Sequence, residues 1–116
     1  MVEVSRERFE ELVVEALDAI PEELAQLLDN VVVIVEDDAP ADDPELLGLY
    51  SGVPLTERGS WYAGVLPDQI TIFRNPTLAM CLTEDEVVDE VQITVVHEIA
   101  HHFGIDDDRL EELGYE

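Results

Sequence analysis

The sequence predicts a single α+β domain over residues 1–116: a small mixed sheet packed against N-terminal helices and one long helix near the C-terminus. Three observations carry this. "VVVIV" and "QITIF" are β-rich runs of strand length. "RFEELVVEALDAI" places apolar residues three and four apart, which is a helical period. "TEDEVVDEVQITVVHEIAHHFG" has a start signal, a stop signal and a greasy stripe between them. The length suits one modest core, and the apolar fraction of 47% is enough to fill it.

The first helix begins after Ser5, a good cap, although Arg8 stands where a capping box wants an acid. Phe9, Leu12, Val13, Ala16, Leu17 and Ile20 share one face. Pro21 ends the pattern, and "PEELAQLL" restarts a short helix with proline in its first turn. "NVVVIVED" reads as a strand at about 31–36 covered on both faces. From Asp37 to about Pro67 the chain is rich in turns; "DDAPADDPE" is a solvated loop, and "LLGLYSGVPL" contains a short strand broken at Gly52 and Pro54. Trp61 and Tyr62 belong to a connection, where they pack or line a cleft. "QITIF", residues 69–73, is a second clear strand, and "NPTLAM" gives one helical turn after Pro76.

The long helix runs from about Glu84 to Phe103. Thr83 with Glu86 forms a capping box, three acids suit the positive end of the helix dipole, and Gly104 supplies a left-handed stop. A last short helix, "DDRLEELGY", is capped by Asp106, with Ile105 and Leu110 placed as a hydrophobic staple.

The formal charge is −24, from 29 acids against five arginines. Such a surface repels nucleic acid and anionic membranes, and it attracts basic partners or keeps a small protein dispersed. Cys81 is the one cysteine and reads as a small buried hydrophobe, so no intrachain disulfide forms. The N-terminus lacks a secretory pattern and no apolar run is long enough to span a bilayer; a cytoplasmic protein is expected.

All three histidines lie within six residues, in "HEIAHH". Projected at about 100° per residue from His97, His101 falls at about 40° and Glu98 at about 100°. Val88, Val95, Val96, Ile99, Ala100 and Phe103 fall between roughly 160° and 300°, so they should face the core. Two imidazoles one turn apart reach a single Zn²⁺ at about 2.1 Å, while the acid beside them points next to the ion and handles protons. With this composition the pattern His-Glu-x-x-His arises by chance about 0.01 times in the chain. Gly104 reverses the chain so that a residue just beyond it returns toward the metal; Asp107 is the favoured third ligand, with Asp106, Asp108 and Glu111 as competitors. Asp107 and Asp108 also suit the first turn of a capped helix without binding anything. His102 projects at about 140°, off the ligand side. Glu90 and Thr94 project at about 20° and about 60°, where they either line the cleft floor or add surface polarity. Tyr50, Trp61, Tyr62 and Tyr115 are the candidates for stabilising an oxyanion.

On "GVPLTERG", "LPDQITIFRNP" and above all "VVHEIAHHFGIDDDRLEELGY", the sequence resembles the small bacterial zincin-like metallopeptidases, a minimal form of the zincin fold. The resemblance covers about half the chain. It implies zinc at His97 and His101, Asp107 as third ligand, Glu98 as catalytic base, and a peptide or protein as substrate. The chain departs from the metzincins, whose third ligand is usually histidine and whose methionine turn follows the motif; Met1 and Met80 both precede it here. Two rival expectations stand beside a peptidase: a zinc hydrolase of a non-protein amide, and a non-catalytic binding module stabilised by a metal.

Overall fold

The computed structural model describes residues 2–52 and 67–115, and Trp61 and Tyr62 lie outside them. Ser5 Oγ accepts the Arg8 amide at 3.1 Å and opens α1 (Arg6–Asp18), which buries Phe9, Leu12, Val13 and Ala16. Pro21 caps α2 (Glu22–Ala25), and a 3₁₀ turn (Gln26–Leu28) leads into β1 (Val31–Glu36). β2 (Gly48–Ser51) and β3 (Asp68–Phe73) complete the sheet. The strand order is β1-β3-β2, with β1 parallel and β2 antiparallel to β3, so the sheet is mixed as expected.

β3 is the central strand, and Ile70, Ile72 and Phe73 are buried. β1 departs from expectation. Among the described residues it pairs on one side only, and of its residues Val35 alone is buried while Val32 is 42% exposed. An edge strand lies at the rim of the sheet, where helix cover thins; a valine run cannot reveal this because it does not specify the strand's neighbours.

α3 (Arg74–Ala79) starts two residues ahead of Pro76. Proline is accepted there because the amides of a helix's first turn lack intrahelical partners in any case. Asp37 accepts from Arg74 Nε at 2.9 Å, tying the end of β1 to this helix. α4 (Glu84–Phe103) has the expected bounds. Thr83 Oγ1 accepts the Glu86 amide at 3.1 Å, whereas Glu86 Oε1 reaches back to the Leu82 amide at 3.2 Å, one residue earlier than a standard box. Gly104 adopts φ 71°, and Ile105 N–H donates to Ala100 C=O at 2.9 Å, closing the helix as a Schellman turn does. α5 (Asp107–Glu112) follows.

α4 is buried over a wider arc than its projection predicts. Val87, Val91 and Thr94 are buried as well as Val95, Val96, Ile99 and Ala100. Gly48 of β2 lies over Thr94, so the sheet covers a sector that the projection leaves open. Val88 is only half-buried, and Phe103 is 45% exposed, packing edge-on to His102 and Tyr50. Cys81 is buried, and desolvation pushes its thiol pKa up. Among the described residues no helix is long and apolar enough to cross a membrane.

Candidate functional site

The buried arc of α4 ends where the sheet ends. Thr94 is in the core, but His97 and Glu98, about one turn on, are half-buried and His101 is exposed. There a cleft of about 380 Å³ opens, lined by Thr94, His97, Glu98 and His101 from α4 and by Gly48 with the loop before it. That loop brings Asp43, Glu45, Leu46 and Leu47 to the rim. The structure thus brings His97, Glu98 and His101 into one cavity. Thr94 lines it too, its hydroxyl turned back to donate to Glu90 C=O at 2.8 Å. Glu90 is not among the described lining residues.

Glu98 is held from an unexpected direction. Its Oε1 accepts the backbone N–H of Tyr50 at 3.0 Å. The register explains why that amide is available. Phe73 N–H donates to Leu47 C=O at 2.9 Å, which makes Leu47 and Phe73 a hydrogen-bonded pair. Pairs alternate along an antiparallel ladder, so the groups of Gly48 and Tyr50 point away from β3, and the Tyr50 N–H meets Glu98 of α4. Glu98 Oε2 accepts no hydrogen bond from the described residues.

The aromatic candidates divide. The Tyr50 hydroxyl donates to Asp68 Oδ2 at 2.7 Å and its ring stacks on His102 at a centroid separation of 3.9 Å. Tyr115 is buried against a separate cleft with Ile93 and Glu111, and its hydroxyl accepts from Gln92 Nε2. Gln92 projects at about 220° from His97, so Tyr115 stands behind the helix and is removed from the oxyanion candidates. His102 is occupied by Tyr50 and lies 3.8 Å from Asp68 Oδ2, away from the cleft-lining histidines.

Two imidazoles on successive turns of one helix, opening on one cleft, have the donor chemistry of a zinc site, and the cleft leaves room for a substrate group. The third donor is not gathered with them: among the described residues no three His, Cys, Asp or Glu side chains converge closely enough to hold an ion. Asp106 Oδ1 accepts the Arg109 amide at 2.8 Å, committing that carboxylate to capping α5. Asp107 and Asp108 occupy the first turn of α5 and are exposed. Tyr50 and Asp68 are the site-adjacent residues that sequence reasoning did not assign to Glu98 or His102. The contact runs through a main-chain amide, which leaves no mark in residue identity.

A family profile described as zincin-like metallopeptidase matches residues 28–115. Among solved structures, a conserved hypothetical protein from T. thermophilus is 28% identical, with a TM-score of 0.58 over 86% of this chain and 94% of that one. No curated protein matches the chain.

Proposed function

The chain belongs to the zincin-like metallopeptidase family, and from that premise we propose that it is a zinc-dependent peptidase in which Glu98 moves the protons. The observation that carries the proposal is the single cleft shared by His97, Glu98 and His101. The two histidines would hold the ion, and Asp107, just past the turn at Gly104, would be the third ligand. A bound zinc supplies Lewis acidity, polarising the scissile carbonyl and bringing the pKa of a water to about 7. Glu98 takes the proton from the attacking water on its second carboxylate oxygen and returns it to the leaving amine. The Tyr50 amide keeps the carboxylate from rotating out of reach. The outward-facing groups of Gly48 are available to an extended peptide in the same cleft.

Metal content by mass spectrometry, paired with digestion of a mixed peptide library, tests this. Wild type and Glu98→Gln should each carry about one zinc per chain and His97→Ala little, with cleavage by wild type alone. Asp107→Ala should lose zinc more readily than Asp106→Ala or Asp108→Ala. Cleavage by Glu98→Gln at the wild-type rate would remove Glu98 from the chemistry. Zinc retained without cleavage of peptides or small amides would favour a metal-stabilised binding module.

A further inference from the structure

The amide that holds Glu98 belongs to a short strand at the edge of the sheet. β2 has four residues and, among the described residues, pairs with β3 alone, on one side. Edge strands this short fray easily, and a fraying β2 would withdraw the Tyr50 amide from Glu98. Contacts among the described residues oppose that. The Tyr50 hydroxyl reaches across to Asp68, the first residue of β3, at 2.7 Å. The Tyr50 ring lies flat on the His102 imidazole, with an interplanar angle of 15°. His102 in turn lies 3.8 Å from the same Asp68 oxygen. His102 sits four residues after Glu98, so the helix that carries the carboxylate also carries the platform for the residue that holds it.

We propose that Tyr50, His102 and Asp68 form a positioning unit that fixes the Glu98 carboxylate through the Tyr50 backbone amide. His102 is then a positioning residue rather than a metal ligand, which accounts for the third histidine of the cluster. Ring stacking sets the height of β2 over α4, the phenol–carboxylate bond sets its slide along β3, and the amide meets Oε1 only when both are satisfied. A side chain as flexible as glutamate otherwise samples several rotamers, and a base displaced by about 1 Å loses much of its rate. The assignment of Glu98 as base rests on the proposed function; the linkage from His102 to the Tyr50 amide does not.

Amide hydrogen exchange, followed by NMR on the intact chain, tests the linkage without requiring activity. The Tyr50 amide should exchange at least about tenfold more slowly than in an unfolded chain. Glu98→Ala and His102→Ala should each erase most of that protection, and Glu98→Gln, which retains an acceptor oxygen, should preserve it. The Ile70 and Ile72 amides of β3, which face β1 and not β2, serve as internal controls and should stay protected. His102→Phe restores a stacking surface and should restore protection to within about threefold of wild type. Where His102→Ala fails to fold, Tyr50→Phe cuts the same linkage at Asp68. In the zinc-loaded protein, His102→Ala and Tyr50→Phe should lower kcat about tenfold with KM within about twofold and zinc content unchanged. Unchanged Tyr50 protection in both His102→Ala and Tyr50→Phe overturns the proposal, as does loss of zinc from His102→Ala. If wild type cleaves nothing, the peptidase reading falls while the exchange data still decide the linkage.

Discussion

At Gly48 the backbone of β2 passes so close to the Thr94 side chain of α4 that it leaves no room for a Cβ. A methyl group there would stand 2.6 Å from Thr94 Cγ2 and 3.1 Å from the Thr71 carbonyl oxygen. Thr94 cannot swing aside freely, because its hydroxyl is bonded to Glu90 C=O. Gly48→Ala should therefore destabilise the fold by about 1–3 kcal/mol, as overpacking does. It should also lift β2 off the helix, so that the Tyr50 amide leaves Glu98. Thr94→Ser removes the offending methyl and keeps the hydroxyl, so Gly48→Ala with Thr94→Ser should recover much of the loss. Urea titration of the two single variants and the double variant measures that coupling. Additive losses would mean that the clash is relieved elsewhere. The partnership of Gly48 with Thr94 is invisible in a linear sequence. Thr94 projects on the histidine side of the helix and so reads as a polar residue lining a cleft; only the position of β2 shows that its methyl side is packed.

Helix α4 was legible from end to end, and for a physical reason: caps are local. Thr83, Glu86 and Gly104 act within a few residues of themselves, so their identities state the helix bounds directly. The same locality made His97, Glu98 and His101 legible as one set, since helical geometry fixes their spacing whatever surrounds them. Non-local relations were not legible. The coverage of β1 depends on which strand lies beside it, and the burial of Thr94 depends on the sheet. The exposure of Phe103 likewise depends on rings at Tyr50 and His102. The two caps offer a test that separates stability from site geometry. Thr83→Ala removes a side-chain acceptor at one end, and Gly104→Ala forces a methyl into a left-handed conformation at the other; each should cost about 1 kcal/mol. The ends are about 30 Å apart for a helix of 20 residues. Only Gly104 sets the path toward Asp107. Gly104→Ala should therefore shed zinc to a chelator faster than Thr83→Ala at matched stability. Equal rates would show that the turn has no part in holding the ion.

Across the whole molecule, attraction and repulsion between charges compete, and salt weakens both. The described arginines are all engaged: Arg6 with Glu10 and Asp37, Arg8 with Glu11 and Glu84, Arg74 with Asp37, and Arg109 with Glu23 and Glu112. The Arg8–Glu84 pair joins the first turn of α1 to the first turn of α4, and the Arg8 guanidinium holds the Glu84 carboxyl below its usual range. A depressed carboxylate contributes its stability above its unfolded pKa and loses it as the pH falls through the folded value, so this link fails only in acid. Most of these partners are exposed, where an ion pair contributes little. Against a few such pairs stands a net charge of −24 on 116 residues. Repulsion summed over that many unpaired carboxylates outweighs the pairs, and the Debye length shrinks from about 30 Å to about 10 Å between 0.01 M and 0.1 M salt. Adding sodium chloride at pH 7 should thus raise the melting temperature by several degrees, most steeply below about 0.1 M. Differential scanning calorimetry across that range checks the sign. A melting temperature that falls with salt would mean that the arginine pairs, and not the excess of acids, govern the electrostatic stability of this fold.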